Sequence, residues 1–239
     1  MNFILPKRFG QDKPPVGSQI KWGHSLAQGL VGCWLFNEGV GGRVHDLSGR
    51  GNHGTLTNMA IPPTPNSGWN PGRTDIGLRF DGVNDYVHIG NLGTLSQGTI
   101  EIWINFRSID DNKWKGIVQG VQTSGSTYYM FCYGNDRVTV FQNAYTTSIL
   151  QNNQWYHITI TWKPGESRVY VDGVVDNFNA ISYTLDLTDL AIGIYHDGYY
   201  FNGFIDEVCI YNRALLPSEV CSLYEDPYQF ITPQRSKGE

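Results

Sequence analysis

The residues of this 239-residue chain that could act on another molecule fall into three groups. The first bears oxygen. Asp46-Leu-Ser-Gly-Arg-Gly-Asn52 sets an acid, a hydroxyl and an amide among glycines. Glycine permits the sharp turns that let carbonyls converge on a hard cation, and calcium takes six to eight oxygens at about 2.3–2.6 Å. The same residues also suit Asx turns, in which Asp46 and Asn52 bond their own backbone. The second group is aromatic. Tyr195-His196-Asp197-Gly198-Tyr199-Tyr200 gathers phenols, an imidazole and a carboxylate around one glycine turn, and Trp114, Tyr128, Tyr129 and Trp103 are further candidates. Sugars are held by aromatic faces against their C–H surfaces, with carboxylates and amides taking the hydroxyls. Aromatics also fill sandwich cores, the role expected of Trp34, Trp155 and Trp162 and an alternative for Trp103. The third group is the thiols Cys33, Cys132, Cys209 and Cys221. No two share a CxxC spacing, which removes zinc-ribbon and thioredoxin chemistry and leaves free, small apolar residues as the plain reading.

Catalysis finds little support. Retaining glycoside hydrolysis holds two carboxyls about 5–5.5 Å apart, which on a strand calls for acids at alternate positions. Glu101 is followed on its face by Trp103 and Asn105, and strand alternation sends Asp206 and Glu207 to opposite faces. Residues 108–114 lack the glycine and threonine of an aspartate box, and no nucleophile elbow, zinc-protease helix or phosphate loop occurs. Asp81 to Asp85 and Asp110 to Asn112 read as turns. The chain is expected not to be an enzyme.

The elements that must position these groups are strands. Hydrophobic residues make up 40% and charged residues 16%, with 28 glycines and 13% aromatics, a profile opposed to disorder and to helical bundles. Formal net charge is −5, so the bulk numbers carry no nucleic-acid footprint. No apolar run reaches the roughly 20 residues of a membrane-spanning helix. Pro6, Lys7 and Arg8 stand where the apolar stretch of a signal peptide would be, so the chain is expected to stay cytoplasmic until released. Residues 99–106 and 155–162 alternate with period two, the pattern of strands buried on one face. Asp172-Gly173 predicts a type I′ hairpin between 168–171 and 174–175. Residues 128–133 and 137–142 form another strand pair, 91–98 a turn region, and proline-rich 61–73 a loop. One short helix opens around Pro217. The sum is an all-β, two-sheet antiparallel jelly-roll sandwich with one short C-terminal helix. Residues 1–28 read as an extended N-terminal arm, 29–225 as the domain and 226–239 as a tail.

Segments in a fixed order carry a resemblance. They are Gly29-Leu-Val-Gly-Cys-Trp-Leu-Phe-Asn-Glu-Gly39, Asp46-Leu-Ser-Gly-Arg-Gly-Asn-His-Gly54, Leu78-Arg-Phe-Asp-Gly-Val-Asn-Asp-Tyr-Val87 and Phe201-Asn-Gly-Phe-Ile-Asp-Glu-Val-Cys-Ile-Tyr-Asn-Arg-Ala-Leu215. Between them lie Asn153-Gln-Trp-Tyr-His-Ile-Thr-Ile-Thr-Trp162 and Tyr170-Val-Asp-Gly-Val174. The set resembles laminin-G-like domains of the concanavalin A-like lectin/glucanase superfamily, and the arm-plus-domain layout is similar to that of laminin-G-like proteins of tailed bacteriophages. The resemblance implies a structural calcium on Asp46, Asn52 and Asp206. It also places the first and last strands side by side, bringing Cys33 near Cys209, able to join in an oxidising exterior if their Cα atoms lie within about 7 Å. It implies a glycan-binding or adhesion module on a virion surface, as capsid decoration or tail adhesin, attached to other virion proteins through residues 1–28. Ligand contacts would fall on Tyr195, His196, Asp197, Tyr199, Tyr200 and Trp114. The alternatives are a purely structural homo-oligomeric virion protein and a divergent polysaccharide-degrading enzyme. Neither nucleic acid nor membrane insertion is expected.

Overall fold

The computed structural model describes residues 12–107, 115–122, 131–134, 137–140, 144–180, 182–195 and 198–233. The first strands are β1 (Gln19–Ile20), β2 (Leu30–Trp34), β3 (Arg43–Val44), β4 (Gly54–Thr57) and β5 (Gly68–Pro71). Next come β6 (Ile76–Asp81), β7 (Tyr86–Gly90), β8 (Thr94–Leu95), β9 (Gly98–Phe106) and β10 (Lys115–Gln122). β11 (Phe131–Gly134), β12 (Arg137–Val140), β13 (Ala144–Tyr145), β14 (Trp155–Lys163) and β15 (Glu166–Val171) follow. The chain closes with β16 (Val174–Asn179), β17 (Leu185–Ile192), β18 (Ile194–Tyr195), β19 (Tyr199–Tyr200), β20 (Asn202–Tyr211), helix α1 (Pro217–Glu225) and β21 (Ile231–Thr232). Eight strands make one sheet in the order β16-β15-β14-β9-β20-β6-β5, with β2 added to β20. Nine make the other, β13-β12-β11-β10-β17-β7-β4-β3, with β8 added to β17. The pairings across both sheets are antiparallel, so the expected sandwich is what the chain forms.

Alternation explains which side of each strand is dry. Ile100, Ile102, Ile104 and Phe106 of β9 join Ile158, Ile160 and Trp162 of β14, and these meet Val118, Leu187 and Ile192 of the facing sheet. Burying one such side chain is worth about 1.5–3 kcal/mol, so this layer holds the sandwich shut. At the β15–β16 corner Asp172 and Gly173 both have positive φ, 50° and 79°, as a type I′ turn requires. Helix α1 starts at Pro217 as the sequence indicates. Its entry is fixed by Glu219, which accepts from the Leu216 amide at 2.9 Å and from both Arg213 terminal nitrogens at 2.8 and 2.9 Å.

The outer face of the eight-stranded sheet carries a second apolar layer. Cys33, Tyr170, Cys209 and Tyr211 on the strands are covered by Ile20, Leu26 and Ala27, by Leu215, Val220 and Leu223, and by Tyr228, Phe230 and Ile231. Of the segment read as an arm, residues 12–28 therefore lie on the domain, and residues 1–11 are outside the described residues. Part of the tail does the same, since β21 pairs with β1. These apolar side chains leave water only by docking there.

Two sequence readings are corrected. The loop expected over 61–73 contains β5, where Trp69 is buried and donates to the Gly41 carbonyl at 2.8 Å. The strand starts after the prolines and ends on Pro71 at a sheet edge, where a missing N–H is tolerated. Trp155 is not in the sandwich core. It shares strand parity with His157 and Thr159, and that parity turns its ring to the outer face, half-buried.

Candidate functional site

The loop after β3 is built around the Asp46 carboxylate. Its Oδ1 accepts from the Cys33 amide at 3.1 Å and the Ser48 amide at 2.8 Å. Its Oδ2 accepts from the Ser48 hydroxyl at 2.7 Å and the Asn52 amide at 3.0 Å. The Asn52 side-chain nitrogen donates to the Val31 carbonyl at 2.8 Å, and the Asn52 carbonyl accepts from the Trp34 indole at 2.7 Å. The loop is an Asx knot fastened to β2.

Asp206 lies in a different network, on β20. The Lys13 ammonium bonds its Oδ1, and the Arg73 amide donates to Oδ2 at 3.0 Å. Burial pushes its carboxyl up to about 7, while the Lys13 ammonium pulls it down. The next residue, Glu207, has φ of 50° at a shift in register between β20 and β9. This bulge overturns the expectation that the two acids part to opposite faces. Both meet Arg73, whose Nη2 donates to Glu207 at 3.0 and 3.2 Å, and Glu207 also accepts from the Tyr228 hydroxyl.

Each carboxylate oxygen of Asp46 and of Asp206 accepts at least one hydrogen bond from a protein donor, in two networks that share no donor. Among the described residues no group of three or more His, Cys, Asp or Glu side chains is placed to hold a metal.

Beneath α1 lies a further set of polar groups. Trp103 stacks on Tyr224, with ring centroids 5.7 Å apart, and Arg73 sits 4.2 Å over the Trp103 ring. His157 is fully buried beside them, its Nε2 3.9 Å from Glu101 Oε1. Trp103 is thus a covered packing residue rather than an exposed sugar platform.

The exposed aromatic chemistry is elsewhere. In the β18–β19 hairpin Tyr195 pairs with Tyr199, their ring centroids 5.6 Å apart and tilted 53°. Tyr199 is 39% exposed and Tyr200 half-buried. His196, Asp197 and Trp114, expected beside them, lie outside the described residues, as do Tyr128 and Tyr129. The hairpin leads into β20, whose first residues belong to a row that sequence reading missed. Trp155, Asn105, Phe204 and Arg79 stand in register across β14, β9, β20 and β6. The Trp155 and Phe204 rings are 6.2 Å apart, and the guanidinium carbons of Arg79 and Arg107 lie 5.3 and 5.6 Å from the Phe204 centroid. Arg79 is held by the Gly203 carbonyl at 3.0 Å and Asn202 Oδ1 at 2.9 Å. Burial, with Arg107 nearby, lowers its pKa to about 10. Parity alone could have exposed this row, because Trp155 and Asn105 fall opposite the apolar alternation.

Fold and surface together define a two-sheet antiparallel sandwich with one exposed tyrosine, Tyr199, at the β18–β19 hairpin. A family model described as the concanavalin A-like lectin/glucanases superfamily, of laminin-G type, matches residues 81–221, and the chain belongs to this superfamily. No curated protein sequence matches it. Solved structures share the fold. A Trypanosoma rangeli sialidase in complex with sialic acid superposes with a TM-score of 0.63 at 17% identity, over 84% of this chain and 33% of the sialidase. The chain thus spans about a third of that enzyme's length. The binding domain of Paraclostridial Mosquitocidal Protein 1 gives 0.63 at 18% identity, over 86% of this chain and 54% of that one. Domain 4 of a GH43 extracellular arabinanase from Geobacillus stearothermophilus, in complex with arabinotriose, gives 0.60 at 19% identity, over 82% and 98%.

Proposed function

We propose that this chain is a non-catalytic carbohydrate-recognition module whose ligand contacts the β18–β19 hairpin. The observation that carries the reading is the ring pair Tyr195–Tyr199, displayed on a tight hairpin with Tyr199 open to solvent. Two tilted phenols offer the faces and hydroxyls that pyranose rings use. The shared fold of an arabinanase domain bound to arabinotriose and of a toxin binding domain supports a binding role. Two acids of the eight-stranded sheet are engaged by the protein itself, Asp206 by Lys13 and Glu207 by Arg73 and Tyr228, which supports a non-catalytic reading. In the setting that the sequence resemblance suggests, a bacteriophage virion surface as capsid decoration or tail adhesin, the segment before residue 12 would make the attachment.

On a glycan array the wild-type chain should give discrete positives. Tyr199→Ala should weaken them about five- to tenfold, as loss of one stacking ring worth about 1–1.5 kcal/mol implies, with the unfolding temperature unchanged. A second reading, a structural oligomer, is favoured by the apolar edge of β16, where Val174, Val175 and Phe178 are 69%, 45% and 54% exposed. A stable multimer by light scattering with no array signal would select it, and release of reducing sugar from polysaccharide would select an enzyme instead.

A further inference from the structure

Lys13 is an unusual residue to bury. Its side chain is fully shielded from solvent, and so is that of its partner Asp206. Three oxygens surround the ammonium: the Asp206 carboxylate, the Ile76 carbonyl and, at 3.5 Å, the Phe36 carbonyl. The three come from β20, from the start of β6 and from the turn after β2, and Phe36 has φ of 50°. The carboxylate itself lies in a glycine cradle. A Cβ on Gly72 would stand 2.6 Å from Asp206 Oδ2, and one on Gly77 3.3 Å from it. The backbone around Lys13 is fastened as well, since the Asn37 amide group donates to the Pro14 carbonyl at 2.5 Å.

Hard oxygens converging on one positive charge in a dry pocket are what a cation site consists of. Here the charge is covalently tethered. One ammonium balances one carboxylate, so the pocket is neutral as built. A divalent ion in the same place would leave a surplus positive charge and would have to displace the lysine.

We infer that the Lys13 ammonium serves as a built-in cation, filling an oxygen cage of Asp206, Ile76 and Phe36 that would otherwise take a divalent metal ion, and thereby strapping residues 12–28 to the sandwich without a metal. The site is a latent divalent-cation site, and its present ligand is a side chain of the same chain.

The test follows unfolding of the full chain by circular dichroism, with 5 mM calcium chloride or with excess EDTA. Wild type should unfold at the same temperature in both, and calorimetric titration with calcium should give no heat of site binding. Lys13→Ala, which leaves Asp206 buried and unpaired, should unfold about 10 °C lower in EDTA. Calcium should restore at least half of that loss and bind with one-to-one stoichiometry. Lys13→Gln, which keeps a neutral donor and half of the methylene stem, provides the same measurement if the alanine variant does not fold. Lys13→Ala combined with Asp206→Asn should lose the calcium response. A wild-type unfolding temperature that rises with calcium, or lysine variants that ignore calcium, would overturn the inference.

Discussion

Cys33 and Cys209 are direct partners across β2 and β20, with Sγ atoms 3.0 Å apart. The Cys33 amide donates to Asp46 and its carbonyl accepts from the Leu47 amide, so the two cysteines occupy a non-hydrogen-bonded pair. Such pairs bring Cα atoms to about 4.5 Å, inside the range a disulfide spans. The neighbouring Cys33 thiol and burial both raise the Cys209 pKa well above its ordinary value, which slows thiolate chemistry. Oxidised glutathione should therefore form this bond slowly, taking up the two electrons and two protons the thiols give. Intact-mass analysis should show the loss of two hydrogens, and the crosslinked form should gain about 2–4 kcal/mol against urea. Asp85 makes a second case at the same scale. It is fully buried, and burial, with the Asp81 carboxylate adding, pushes its carboxyl up to about 6. A folded-state value above the unfolded one contributes stability below about pH 4 that is lost as pH rises through 6. Asp85→Asn should therefore be more stable than wild type by about 1–2 kcal/mol at pH 7, with the difference vanishing near pH 4 in urea titrations.

Strands were the legible elements. Period-two alternation places β9 and β14 within a residue of their ends and assigns their dry faces, because a one-residue slip would expose every isoleucine. β5 was hidden by flanking prolines. The bulge at Glu207 was invisible because alternation assumes an unbroken ladder, and it changes which acids meet. Lys13 and Asp206 are 193 residues apart, and nothing in either neighbourhood announces the other. The Tyr195–Tyr199 pair was readable because a glycine hairpin must set the two strand ends opposite each other. Helix α1 offers a test at this scale. Its apolar Val220 and Leu223 seal the second layer, and Glu219 fixes its start by holding Leu216 and Arg213. Glu219→Ala should cost about 1 kcal/mol in chemical unfolding and raise amide exchange in 216–225 before the sandwich is affected.

At the scale of the molecule the second apolar layer redraws the domain. Composition showed that an apolar core existed but not that there were two layers, because Ile20, Leu26, Phe230 and Ile231 sit in segments without regular alternation. A chain beginning at residue 12 keeps every described contact of the strap and should unfold within about 2 °C of wild type. One beginning at residue 29 loses Lys13, Ile20, Leu26 and Ala27 from buried positions. At about 1.5–3 kcal/mol for each apolar side chain, and with Asp206 left unpaired, it should precipitate or unfold at least 10 °C lower in calorimetry.

Pairing of β1 with β21 means the polypeptide enters and leaves the sandwich at one spot. If the module is anchored at one flank and loaded at the other, tension pulls neighbouring strands apart from their ends, so their hydrogen bonds break one after another rather than all at once. That geometry resists tension poorly. Peeling β2 from β20 reaches Cys33 and Cys209 after only a few residues, so a covalent bond there would arrest the rupture and make the module far tougher outside a reducing cell than within it.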